Sequence, residues 1–94
     1  AFARVDVRDT TAVNKVISES KPDAVIHLAA QVAVTTSVTD PRMDFDVNAL
    51  GTFNMLDAVR RFRPDAAFLF ASTNKVYGKI TGATSELKGN RYAY

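Results

Sequence analysis

Two apolar runs of strand length fix most of what this chain can fold into. Ala24-Val25-Ile26-His27-Leu28-Ala29-Ala30 and Ala66-Ala67-Phe68-Leu69-Phe70-Ala71 carry almost no polar side chains. Apolar character that continues over this length without alternation marks strands buried on both faces, as in a parallel sheet covered by helices. The expected strands are Ala24 to Ala30 and Phe68 to Ser72. Ahead of the first, Val13, Val16 and Ile17 recur at helical spacing until Pro22, with Asp9 or Thr10 as N-cap. Between the two runs, Thr39-Asp40-Pro41 is an oxygen-bearing cap followed by proline in the first turn. It predicts a long helix from about Arg42 to Phe62, stopped by Pro64. The alternating segment Phe2-Ala3-Arg4-Val5-Asp6-Val7 predicts one more short strand. Gln31 to Thr39 reads as a polar-speckled loop, and the chain beyond Gly78 as polar and irregular. Strand, helix, strand, helix, strand with short connections is the pattern of an α/β fold with a parallel sheet.

The long helix carries two apolar stripes. One holds Phe45, Ala49, Phe53, Leu56 and Val59, the other Val47, Met55, Ala58 and Phe62. A helix lying on a sheet needs only one. Either the helix is deeply buried within its own domain, or a second helix or subunit covers the other stripe.

Composition narrows the function classes. The 94 residues suffice for one small domain and are few for an enzyme with separate cofactor and substrate lobes. Twelve basic residues are interspersed with ten acidic ones, for a net charge of +2. The compact basic run Arg60-Arg61-Phe62-Arg63 is read as cations completing a helix C-terminus rather than as a nucleic-acid patch. The chain has no cysteine, which fits a reducing cytoplasm and leaves no thiolate chemistry. No apolar run approaches the roughly 20 residues of a membrane span, and no basic-then-apolar leader is present.

The chemistry-bearing residues cluster at strand ends, where open α/β sheets bind ligands. Ser72 and Thr73 stand at the end of the last strand, followed by Asn74-Lys75-Val76-Tyr77-Gly78. Ala29 and Ala30 let a ligand approach the backbone closely at the end of the middle one. Asp6, just past the first, can accept a hydrogen bond from a base amino group while the backbone of Val7 donates. His27 is the only histidine, lies within an apolar strand with no acidic pair beside it, and is read as a packing residue. Asp44 and Asp46 lie two apart, point to different sides of a helix, and offset its dipole. Asn48 is a polar amide in a helix interior, a position that requires a partner for its side chain.

Together these segments resemble the extended short-chain dehydrogenase/reductases, the NAD-dependent nucleotide-sugar epimerase/dehydratase family. The resemblance runs from about Val5 to Gly78 and rests on Val5-Asp6-Val7-Arg8-Asp9, His27-Leu28-Ala29-Ala30, Asn48 with Gly51-Thr52, and Ser72-Thr73-Asn74-Lys75-Val76-Tyr77-Gly78. It implies a partial Rossmann-like, doubly wound sheet and NAD as cofactor. Asp6 and Val7 match the adenine-contacting turn. Leu28, Ala29 and Ala30 match residues along the pyrophosphate and nicotinamide ribose, with Gln31 reaching the ribose or the substrate. Asn48 matches an asparagine that bridges water or backbone near the cofactor, and Gly51 one that permits close packing. Ala71 and Ser72 lie along the nicotinamide side. Thr73 takes the place of the catalytic hydroxyl, and Tyr77 is a supporting residue, since the family's catalytic tyrosine belongs to a Tyr-x-x-x-Lys on a later helix.

Dehydratases of the family carry Asp-Glu where this chain has Asn74-Lys75; an amide is no general acid, and lysine is normally protonated. Gln31 to Ser37, Asp40 to Phe45 and Thr73 to Gly78 look most like the CDP-paratose 2-epimerase branch. That implies epimerisation of a CDP-sugar at C2 through a transient ketone, with Thr36 and Asn74 among the residues touching the sugar. In the family the long helix joins a four-helix bundle between subunits, implying a homo-oligomer. The alternatives are a 4,6-dehydratase or reductase of the same family, or a non-catalytic nucleotide-binding relative. The chain contains neither the family's Gly-x-x-Gly-x-x-Gly nor its Tyr-x-x-x-Lys. It is therefore expected to be the interior of a longer protein and, by itself, inactive.

Overall fold

The computed structural model of the chain describes residues 2–73, 82, 86–89 and 91–93. Helix α1 (Thr10–Ser20) is capped by Asp9, whose carboxylate accepts from the Ala12 N–H. It ends at Lys21, held at φ 48° with its N–H on Ile17 O. The following Pro22 disfavours a further helical residue at that point. Strand β1 (Ala24–His27) leads to α2 (Val34–Thr39) and α3 (Pro41–Phe45). A π-helical turn (Asp46–Leu50) then runs directly into α4 (Gly51–Phe62), followed by β2 (Ala67–Phe70). The expected long helix is thus one helical rod from Pro41, with Asp40 accepting from Met43 N–H as cap and Pro41 in its first turn.

β1 and β2 pair in parallel, Ala24 opposite Ala67 through His27 opposite Phe70. One further bond, from Ala71 N–H to His27 O, prolongs the ladder past β2. Both strands are shorter than their apolar runs. Alternation puts Val25, His27, Phe68 and Phe70 on one face and Ile26 and Leu69 on the other. Helices α1 and α4 cover the first face around a core of Val13, Ile17, Ala58 and Val59, with Val25, Met55, Ala66 and Phe68 packed against it. The second face is open: Ile26 is 63% and Leu69 61% exposed. The expectation of strands buried on both faces is therefore corrected, because among the described residues only one face is covered. Arg63 fastens the end of α4 to the start of β1, donating to Pro22 O and to the Asp23 carboxylate.

Three other expectations are corrected. Phe2 to Val7 is not a strand; no described strand lies beside it to complete a ladder, and alternation alone cannot supply one. Gln31 to Thr39 is not all loop. Val34 to Thr39 forms α2 despite its β-branched residues, with Thr39 Oγ1 bonded back to Thr35 O. The end of the chain is not wholly irregular: β3 (Glu86–Lys88) and β4 (Arg91–Ala93) form an antiparallel pair with Gly89, at φ 63°, in the turn between them.

The two stripes of the long helix separate differently from expectation. Met55, Ala58 and Val59 join the core, whereas Phe45, Phe53 and Leu56 are exposed. Arg60 and Arg61 occupy the last turn of α4, as their charge favours.

Candidate functional site

At the carboxyl ends of β1 and β2 lies a cleft of about 360 Å3. Residues 28–32 form one wall and 70–73 the other, with His27, Asn48 and Thr52 behind them. Eight residues singled out in the sequence meet here: Leu28, Ala29, Ala30, Gln31, Asn48, Ala71, Ser72 and Thr73. They come from three separate stretches of chain, joined because parallel pairing aligns the two strand ends.

The polar anchor of the cleft is Asn48. Its Oδ1 accepts from Gln31 N–H at 2.8 Å and its Nδ2 donates to Gln31 O at 3.1 Å. One side-chain amide therefore pairs with both backbone groups of the residue that turns the chain away from β1. The same Nδ2 also donates to Asp44 Oδ1 at 3.1 Å, and Ser37 Oγ donates to that oxygen at 2.8 Å. Gln31 folds its own side chain back, donating from Nε2 to Ala33 O. The π-helical turn is centred on Asn48 and carries the wide bond from Gly51 N–H to Asp46 O.

Thr52, one turn on, donates its hydroxyl to Asn48 O and lies 3.2 Å from His27 Nε2. A hydroxyl has one hydrogen. With that hydrogen on Asn48 O, the Thr52 oxygen accepts from His27 Nε2–H, which fixes the tautomer of the neutral ring. His27 is 4% exposed and stacks near Phe70. Burial pushes its pKa down from the ordinary histidine value. The packing role expected of it agrees with these surroundings, although the ring also forms part of the cleft's inner wall.

Asp6, Val7 and Thr36 lie apart from the cleft lining. Asp6 is held by Arg8, whose guanidinium reaches both carboxylate oxygens and whose N–H donates to Oδ1. These bonds hold the Asp6 carboxyl at about 2. Val7 is fixed by Asn54, which donates from Nδ2 to Val7 O at 2.9 Å. Gly51 makes room for this approach, since a Cβ there would stand 2.6 Å from Val7 Cγ2. Thr36 lies half-buried in α2, its carbonyl accepting from Asp40 N–H. Asn74, together with Lys75, Val76, Tyr77 and Gly78, lies outside the described residues.

Two site-building residues were missed in the sequence. Asn54 is 3% exposed and joins α4 to the Asp6–Val7 segment. The signal that singled out Asn48, an amide inside a helix, applies equally to Asn54. Asp44 was read as dipole compensation, and it does lie in the first turn of α3. Its bonds to Ser37 and Asn48 depend on where α2 folds, which spacing does not reveal.

The family described as GDP-mannose 4,6 dehydratase matches residues 1–90. The CDP-paratose 2-epimerase of Salmonella typhi is 44% identical over 79 residues, 84% of this chain and 23% of that protein. The dTDP-glucose 4,6-dehydratase of Shigella flexneri is 33% identical over 88 residues, covering 85% of this chain and 24% of that one. Among solved structures, the UDP-glucose 4-epimerase of Thermus thermophilus in complex with NAD superposes with a TM-score of 0.78 at 40% identity, covering 90% of this chain and 27% of that one. The chain thus spans about a quarter of the length of the curated relatives it matches. It belongs to the family of NAD-dependent nucleotide-sugar epimerases and dehydratases, and its fold is a partial Rossmann-like one.

Proposed function

We propose that this chain, as a member of that family, supplies the strand-end half of the active site of an NAD-dependent nucleotide-sugar epimerase, acting on a CDP-sugar at C2. The observation that carries the reading is the convergence of residues 28–31 and 71–73 on one cleft at the ends of two adjacent parallel strands, with Asn48 clamping Gln31. The residues fit a nicotinamide cofactor. Leu28, Phe70 and the small side chains of Ala29, Ala30 and Ala71 suit a flat ring and close backbone approach. Asp6 and Val7 sit on a separate turn suited to the adenine end.

When bound, NAD supplies reversible hydride acceptance, so that no net oxidation results. The protein's own part is orientation. Thr73 holds the reacting sugar oxygen as its carbon passes between alcohol and ketone, favouring the charge that develops there. Ser72 and Ala71 border the nicotinamide side, and Thr36 and Asn74 contribute to the sugar-binding surface. In the family this chain resembles, the hydroxyl proton passes to the tyrosine of a Tyr-x-x-x-Lys motif. In the complete protein, Thr73→Val is expected to lower kcat/KM for interconversion of a CDP-sugar and its C2 epimer about a hundredfold, followed by NMR of the sugar. A loss within tenfold would remove Thr73 from the catalytic group. Release of water with a deoxy-ketose product would favour a dehydratase instead, a reading that the Asn74-Lys75 pair opposes. Binding of NAD and sugar without turnover would favour the non-catalytic relative.

The exposed stripe of Phe45, Phe53 and Leu56 supports a homo-oligomer in which a second copy covers this helix. Sedimentation of the complete protein at micromolar concentration is expected to show at least a dimer, and a monomer would refute it. No helix among the described residues is long and apolar enough to cross a membrane. The partners proposed for the protein are its nucleotide-sugar substrate and further copies of itself.

A further inference from the structure

We infer that Asp44 is a positioning residue for the cofactor side of the cleft, acting through Asn48 on the backbone of Gln31. The inference rests on the reading of the cleft given above, and it assigns a function to a carboxylate whose place near a helix start would otherwise explain it. Asp44 Oδ1 receives two hydrogens, from Ser37 Oγ at 2.8 Å and from Asn48 Nδ2 at 3.1 Å. An ionised carboxylate only accepts. It can therefore face only the amino end of the Asn48 amide, which leaves Oδ1 of Asn48 turned to Gln31 N–H. The charge strengthens both bonds. Through Ser37 the same oxygen holds α2 against the helical rod, so the chain leaving β1 is fixed at two points, Gln31 and Ser37.

The network lies in one line: Ser37 to Asp44, Asp44 to Asn48, Asn48 to Gln31. Its far end is a lining residue of the cleft, while Asp44 itself does not line it. Removing Asp44 frees Asn48 to share its Nδ2 with water and frees α2 to move, loosening the wall formed by residues 28–32. Asp44→Asn keeps an oxygen that accepts from Ser37 or from Asn48, so it should restore most of the effect. Asp44→Leu keeps the branching at Cγ and removes every acceptor.

The test uses the complete protein and two readouts that do not depend on turnover: hydrogen exchange of the Gln31 amide and affinity for NAD. Asp44→Leu is expected to speed Gln31 exchange about tenfold and to weaken NAD binding by a similar factor, with the exchange of core amides in α1 unchanged. Asp44→Asn is expected to stay within about threefold of the unaltered protein on both. Should Asp44→Leu fail to fold, Ser37→Ala carries the test, with an expected threefold increase in Gln31 exchange. Unchanged Gln31 exchange in a folded Asp44→Leu or Ser37→Ala protein overturns the positioning role. So does faster exchange with unaltered NAD affinity, which would leave a structural contact only. Failure of the unaltered protein to bind NAD would instead overturn the functional reading, and the exchange result would stand apart from it.

Discussion

The two halves of the helical rod are held by different physics. From Gly51 onward, Met55, Ala58 and Val59 pack against Val13 and Ile17, and Ala58 has no exposed surface at all. Before Gly51 no residue of the rod is buried. That half is kept in place by side-chain hydrogen bonds: Asp44 to Ser37, and Asn48 to Gln31. Apolar packing is non-directional and sets the stability of a region. Hydrogen bonds are directional and contribute little net stability, but they specify where groups point. The core end of the rod therefore carries the fold, and the cleft end carries the placement of the site.

The largest effect expected from this contrast lies in the core. Ile17→Ala removes a side chain that is 4% exposed, and should lower the unfolding free energy of the complete protein by about 2–4 kcal/mol in urea titration. A loss below about 1 kcal/mol would mean that the α1–α4 layer does not carry the stability. Next come the two amides, which set the halves against each other. Asn54→Ala strips Val7 O and the Thr10 hydroxyl of their partner in a buried place, and should cost about 1–3 kcal/mol. Asn48→Ala, at a half-buried position, should cost less than about 1.5 kcal/mol in the same titration while speeding Gln31 amide exchange. Equal costs would dissolve the distinction between the halves.

The smallest effect concerns His27. Its folded pKa is depressed by burial, so near neutral pH it is uncharged in the fold. Below the unfolded value of about 6.5 the unfolded chain takes up the proton first. Stability is therefore complete above that pH and declines as pH falls toward the folded pKa. His27→Gln, which keeps a donor for Thr52 but does not titrate, should flatten the melting temperature between pH 7 and 5. An unaltered slope would place the titrating group elsewhere.

How much of this was legible in the sequence follows from the range of each cause. Asp9, Asp40 and Pro41 act within one turn of backbone, and they end up as the caps that local chemistry predicts. The strand runs were legible because uninterrupted apolar character needs no partner to be seen. Their burial was not, because exposure of Ile26 and Leu69 depends on what covers the second face. Val34 to Thr39 reads as a loop by propensity, yet hydroxyl back-bonding and the Asp40 cap behind it make it helical. Phe2 to Val7 shows the opposite failure: its alternation is local, but a strand exists only beside another. In the site, Asn48 was legible as an amide needing a partner; the partner itself, a backbone residue seventeen positions away, was not.

The π-helical turn has a geometric consequence for how this segment can vary. Each residue of an ordinary helix turns the next by about 100°. Deleting one residue within α4 would therefore swing every later side chain off the sheet. The wide turn instead holds one residue more than an α turn of the same span. Losing a residue other than Asn48 there closes it to an ordinary turn and leaves α4 in phase. The turn is a slack link between an anchored shaft and the tool at its tip, and only Asn48 within it is pinned to its place.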